Sequence, residues 1–318
     1  MIPGKLLQIS AVALMAAGLS MTAMMPAATA ADLGAKDEPI KLAMLEWTGQ
    51  HVSSYIAGTI LQKMGYKIDY VTAGNFPQFS GLADGTLSAS VEIWMNNVGD
   101  IFPKTLEAKQ IEDLGPLGLE TKEGWIYPKY MTDVCPGLPD WKALEQPSCV
   151  QALATPETFP NGRLLDYPSD WGSRGAAIAA NNNLPLTAIP AGSEGALVAE
   201  LDSALAAKKP ILMMFWGPHS ALAGADVDWV KLPPCSGDKS QCITPPDVDK
   251  IVWSGFGKKW PAAYDFLKHF QMNAHEQELM MARIEKKGEK IEDVTADWVE
   301  KNKSVWQPWV DAAQASGS

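Results

Sequence analysis

Positive charge is the first thing this chain lacks. It carries 26 Lys and Arg against 37 Asp and Glu, leaving a formal charge of -11. A protein that grips duplex nucleic acid needs a basic footprint, so this balance argues against nucleic acid as a main partner. Catalytic signatures are missing too: there is no H-E-x-x-H, P-loop, G-x-S-x-G or Rossmann glycine fingerprint, and no cofactor is expected. Histidine is scarce, at 4 residues. His269 and His275 do not have the i, i+3 or i+4 spacing that a metal pair on one helix face needs, and no metal is expected. Past the first 30 residues no apolar run is long enough to span a bilayer; residues 210–216 are apolar but far too short.

Cysteine is sparse, at 4 residues, and falls into two local groups, Cys135 with Cys149 and Cys235 with Cys242. No C-x-x-C spacing points to a metal site. Three connectivities are open to four cysteines. Local pairing is the simplest, since both stretches bear Pro and Gly and can fold back as loops. Two disulfides suit an oxidising compartment. The N-terminus agrees: Lys5, an apolar stretch over 11–25 and Ala28-Thr29-Ala30 predict a signal peptide over 1–30, hence periplasmic export. An uncleaved anchor is the alternative reading, but Pro26 and the following alanines suit cleavage better.

What the chain has in excess is tryptophan, 12 against 8 Phe and 7 Tyr. The apolar pattern places several of them. Residues 40–47 read as a buried strand, and Thr48 as the cap of a helix whose face is Val52, Ile56 and Ile60, ended by Gly65. A strand over 67–72, a short helix over 77–84, a strand over 88–94 and a helix over 100–110 complete a β-α-β-α-β run, which implies a parallel sheet with its ligand edge at the strand C-termini. The pattern restarts with a helix over 174–182, a strand over 186–190, a helix over 193–208 with Glu194 in its first turn, a strand over 210–215, a strand over 251–254 and helices from Pro261 onward. Trp47, Trp94 and Trp216 fall at strand ends, and Trp171 directly before a helix. Indoles at such edges are placed as walls of a site, and their faces attract cations. Trp125, Trp141, Trp229, Trp253, Trp260, Trp298, Trp306 and Trp309 read as packing.

The segments Glu46-Trp47-Thr48-Gly49-Gln50, Ile93-Trp94, Asp170-Trp171-Gly172-Ser173 and Phe215-Trp216-Gly217-Pro218-His219 resemble the glycine betaine/proline-type substrate-binding proteins of ABC transporters. So does the stretch from Gly115-Pro116 through Gly124-Trp125-Ile126-Tyr127-Pro128-Lys129-Tyr130. The resemblance implies an α/β, two-lobe periplasmic-binding-protein fold of type II, each lobe a central sheet flanked by helices and joined by a hinge. Lobe I would take 39–121 plus 251–318, and lobe II 122–250. It implies a monomer that captures a methylated amine, trimethylamine N-oxide or glycine betaine, and delivers it to a permease in the inner membrane. Trp47 and Trp94 would face Trp171 and Trp216. Polar contacts would come from His219, from the N–H groups of Gly172 and Ser173 at a helix start, or from Glu46. Some betaine binders carry a His just after the residue matching Trp94; here Met95-Asn96-Asn97-Val98 has none. Choline or carnitine in the same cage is an alternative. A secreted hydrolase using Ser173 and His219 is the alternative from another class, since Gly172-Ser173-Arg174-Gly175 falls one residue short of a nucleophile elbow. Asn161-Gly162 and Asp166 read as a plain turn rather than a calcium loop, because the oxygen-rich spacing is incomplete.

Overall fold

The computed structural model describes residues 1, 4, 32–235 and 239–316. Apart from Met1 and Gly4, the expected signal peptide and its cleavage site lie outside the described residues. The chain builds β1 (Ile40–Met44), α1 (Thr48–Lys63), β2 (Ile68–Thr72), α2 (Pro77–Ala83), β3 (Ala89–Trp94), α3 (Ile101–Glu107) and β4 (Ile111–Pro116). It continues with β5 (Lys122–Pro128), α4 (Pro147–Leu153), β6 (Gly162–Asp166), α5 (Gly175–Asn181), β7 (Leu186–Pro190), α6 (Glu194–Ala207), β8 (Met213–Gly217) and β9 (Val227–Trp229). It closes with β10 (Val248–Trp253), α7 (Phe256–Lys259), α8 (Pro261–His269), α9 (Ala274–Lys287), α10 (Ile291–Lys301) and α11 (Lys303–Ser316).

Two five-stranded sheets result, ordered β2-β1-β3-β10-β4 and β7-β6-β8-β5-β9. They share one plan. In the first, β1 is parallel to β2 and β3, while β10 runs antiparallel to β3 and β4. In the second, β6 is parallel to β7 and β8, while β5 runs antiparallel to β8 and β9. Each sheet is therefore the core of one lobe, and the chain crosses between lobes twice, from β4 to β5 and from β9 to β10. The Thr121 hydroxyl donates to the Pro246 carbonyl at 2.6 Å, tying the two crossings together. Because β10 begins at Val248, the first sheet resumes ahead of residue 251.

The apolar face expected of α1 is fully buried, with Val52, Ile56 and Ile60 at 0% exposure. It packs on the first sheet and on α9 and α10. Strand β1 stops at Met44 rather than running on to Trp47, because the helix takes over its ladder groups. Leu45 donates its N–H to Gln50 Oε1 at 2.9 Å, and its carbonyl meets His51 Nε2 at 2.6 Å. The stretch 210–215 starts its strand only at Met213, in keeping with Pro210 having no N–H to offer a ladder. Strands β4, β5 and β9 are absent from the pattern reading, and the turn read over 161–166 is strand β6. The cysteines pair locally, Cys135 with Cys149 and Cys235 with Cys242, although Cys149 sits in α4 rather than in a loop. No helix among the described residues is long and apolar enough to cross a membrane.

Candidate functional site

The shared plan of the sheets places the four edge tryptophans in matching positions. Trp47 follows β1 and Trp171 follows β6, the middle strand of each parallel trio. Trp94 ends β3 and Trp216 stands in β8, the next strand over in each. All four line one cavity between the lobes. Each is at most 7% exposed. Across the lobe boundary Trp47 and Trp171 meet edge to face at 5.3 Å, and Trp171 meets Trp216 in the same way at 5.6 Å.

Three of the four indole N–H groups are committed to carboxylates outside the lining. Trp47 and Trp94 both donate to Oε1 of Glu92, at 2.9 and 3.0 Å. Glu92 is 1% exposed, and its other oxygen accepts from Ser53 at 2.7 Å and Gln277 at 2.9 Å. Trp171 donates to Oε2 of Glu46 at 2.7 Å, reaching from lobe II to lobe I. For these three rings, what remains for the cavity is ring carbon.

Tyr167, Asn75, Asn97 and Glu123 complete the lining. The Asn75 amide bridges the lobes, donating to the carbonyls of Asn97 at 3.0 Å and Trp171 at 3.1 Å. Glu123 lies opposite Trp216 in the β5–β8 ladder. It accepts from Asn96 at 3.1 Å and Asn97 at 2.8 Å. Burial pushes its carboxyl above the ordinary value; the hydrogen bonds from Asn97 and Asn96 and the charge of Arg174 pull the other way. Among the described residues no Lys, Arg or His lines the cavity.

The other expected contacts are committed elsewhere. His219 is 1% exposed and stands against Trp216, their rings 4.7 Å apart. Its Nδ1 accepts from the Ala221 N–H at 3.0 Å, so Nε2 carries the ring proton and faces Glu194 Oε1 at 3.1 Å. Glu194, His219 and Glu285 come close enough to suggest a metal trio, but the protonated Nε2 has no lone pair to give. The second Glu194 oxygen accepts from the N–H and hydroxyl of Thr48, at 3.0 and 2.9 Å. Thr48 is thus not the cap of α1; the start of the helix is capped from the opposite lobe.

The Ser173 hydroxyl donates to Asp166 and accepts from the Gly175 N–H. Gly172 has φ +78, and a Cβ there would sit 2.1 Å from the Asn97 carbonyl of lobe I. The close approach of the lobes at this point requires glycine. Neither residue lines the cavity, and Ser173 and His219 do not meet as a nucleophile and base. Glu46 stands behind Trp171 rather than in the lining.

Sequence reasoning missed Glu123, Glu92, Tyr167, Asn75 and Asn97. One signal existed for Glu92: β3 is buried along its whole length, and Ser90, Glu92 and Trp94 alternate onto one face. A charged residue inside a fully buried strand demands partners.

Residues 38–301 match the family described as the substrate-binding domain of ABC-type glycine betaine transport systems. The chain is 29% identical over 287 residues to a trimethylamine N-oxide-binding protein of Pelagibacter ubique, covering 86% of this chain and 90% of that one. A lactococcal binding protein in its closed, glycine betaine-bound form superposes with a TM-score of 0.71 at 20% identity, over 86% of this chain and 100% of that one. An ABC-transporter choline-binding protein in complex with choline gives a TM-score of 0.73 at 17% identity, over 88% and 94% of the two chains. Those two likenesses concern the fold, the two-lobed type II periplasmic-binding arrangement built from the paired sheets. With most of its length matched, the chain belongs to the family of substrate-binding domains of ABC-type glycine betaine transport systems.

Proposed function

We propose that this protein is the periplasmic, monomeric receptor of an ABC importer that captures trimethylamine N-oxide between its lobes and delivers it to the permease. One observation carries the reading: the cavity joins four indoles to a single buried carboxyl and has no cationic side chain in its lining. A trimethylated nitrogen cannot donate an N–H, so ring faces are its natural partners, at roughly 0.5–2 kcal/mol each when desolvated. Trp47, Trp94, Trp171 and Trp216 supply them. A betaine carboxylate would need a cation or several N–H donors, and would instead meet Glu123. The N-oxide oxygen is a strong acceptor, and burial of Glu123 favours its neutral carboxyl, the form that can donate to that oxygen. The relative in Pelagibacter ubique binds the same ligand by its name.

Choline is the second reading, with its hydroxyl donating to an ionised Glu123. Closure near residues 121 and 247 would bring the two halves of the cage together. Calorimetry with trimethylamine N-oxide, glycine betaine, choline and carnitine tests the assignment. Trimethylamine N-oxide should bind tightest. Tighter binding of glycine betaine would overturn it.

A further inference from the structure

The cage has a rear wall of its own. Glu92 touches nothing in the cavity, yet both lobe I indoles end on one of its oxygens. The other oxygen is held by Ser53 from α1 and by Gln277 from α9. Gln277 also donates to the Gly49 carbonyl at 3.0 Å, which fixes the start of α1 next to Trp47. Glu92 thus accepts only from neutral donors, with no basic side chain on either oxygen. A buried charge held only by neutral donors is costly to keep. Packing alone does not call for it, because a neutral amide would fill the same space. Its location points to another use.

We propose that Glu92 is a positioning residue that sets the cation affinity of the cage by holding and polarising Trp47 and Trp94 through their N–H groups. A carboxylate accepting from an indole N–H draws the proton toward itself and leaves the ring richer in π density. The ring face that meets the ligand becomes more negative, and cation–π attraction grows with it. Both rings share one acceptor atom, so their relative orientation is set as well. The carboxylate is also a fixed negative charge behind the site, where little water screens it. Glu46 does the same for Trp171, but from an exposed position where solvent weakens the effect. This proposal rests on the reading that the ligand carries a trimethylated nitrogen.

Two variants separate charge from shape. Glu92→Gln keeps the size of the side chain and removes the charge; Glu92→Asp keeps the charge and shortens the reach. If Glu92 acts through charge, affinity for trimethylamine N-oxide and for tetramethylammonium falls roughly tenfold in Glu92→Gln and less in Glu92→Asp. If it is only a packing element, the shorter Asp is the more damaging variant, and that reversed order overturns the proposal, as does unchanged affinity in Glu92→Gln. A second measurement serves even where a variant does not fold. In wild-type protein the Trp47 and Trp94 indole N–H resonances, assigned by single Trp→Phe changes, should lie downfield of the other indoles; signals in the ordinary range would reject the polarisation. Wild-type protein that binds neither ligand would sink the functional reading itself, while the indole resonances would still report on Glu92.

Discussion

The two halves of the cage are built from equivalent strands but stabilised differently. In lobe I, Trp47 and Trp94 hang on Glu92, Ser53 and Gln277, all within the same lobe. In lobe II, Trp171 gives its N–H to Glu46 and its carbonyl to Asn75, both across the boundary. Trp216 leans on Phe215, His219 and Tyr167 beside it. The first half is therefore set before a ligand arrives. Both bonds of Trp171 cross the boundary, so under the proposed function that wall should reach its bonded position only as the lobes meet, and closing and binding would be one event for it. The same asymmetry runs through the rest of the boundary. Glu194 of lobe II caps α1 of lobe I, the Ser220 hydroxyl donates to Glu285 of α9, and Lys286 of α9 donates to the Ser220 carbonyl at 2.7 Å.

The strongest way to break the comparison is to remove one wall from each half. Trp94→Ala should weaken trimethylamine N-oxide binding on the order of 100-fold while leaving the circular dichroism of the fold unchanged. Trp171→Ala should lose as much, and should also leave the protein open at saturating ligand in small-angle scattering, whereas Trp94→Ala still closes. Equal closure in both variants would mean that the halves do not differ in this way, and near-normal affinity in either would remove that ring from the cage.

Glu123 comes next, because it stands on lobe II yet takes its hydrogen bonds from Asn96 and Asn97 of lobe I. Its carboxyl is raised by burial. The neutral form donates to the N-oxide oxygen, and that donor is lost as pH climbs through the raised value. Affinity for trimethylamine N-oxide should then fall with rising pH, roughly tenfold across the transition. Glu123→Gln, which always has N–H to donate, should flatten the profile. A profile that rises with pH would favour choline, whose hydroxyl needs the ionised form. Glu46→Gln tests the weaker, exposed anchor. It should cost only about threefold in affinity, an effect that shrinks in high salt, and a loss as large as that of Glu92→Gln would erase the distinction between buried and exposed supports.

The sequence exposes the walls more readily than what holds them. The four tryptophans stand out because each follows a stretch whose period and breakers mark a strand end or a helix start, which is local information. The twofold plan behind them does not, since Leu45-Glu46-Trp47-Thr48 and Ser169-Asp170-Trp171-Gly172 share only the indole. Strands β4 and β5 escape pattern reading because they are the crossing strands, with polar Glu112, Asp113, Lys122 and Glu123 interrupting the alternation. His219 looks like a ligand contact from its closeness to Trp216 in the chain, but its ring bonds are spent on Ala221 and Glu194. Glu92 and Glu123 gain their roles from partners far off in sequence, and no spacing rule encodes those.

The smallest expected change in affinity is also the sharpest check on the lobe I half. Trp298 lies in α10, 7% exposed, within the core that packs α10 on α1. Helix α1 begins directly after Trp47 and carries Ser53, so the packing behind it is one step removed from the cage. Trp298→Ala leaves a large void and should cost about 3–5 kcal/mol of stability, read as a lower denaturant midpoint. Glu92 and Gln277 hold Trp47 and Trp94 independently of that packing, so affinity for trimethylamine N-oxide at low temperature should stay within about twofold. Should affinity drop in step with stability, the indoles of lobe I would depend on the whole helical layer behind them, and the buried carboxylate would not be their sole anchor.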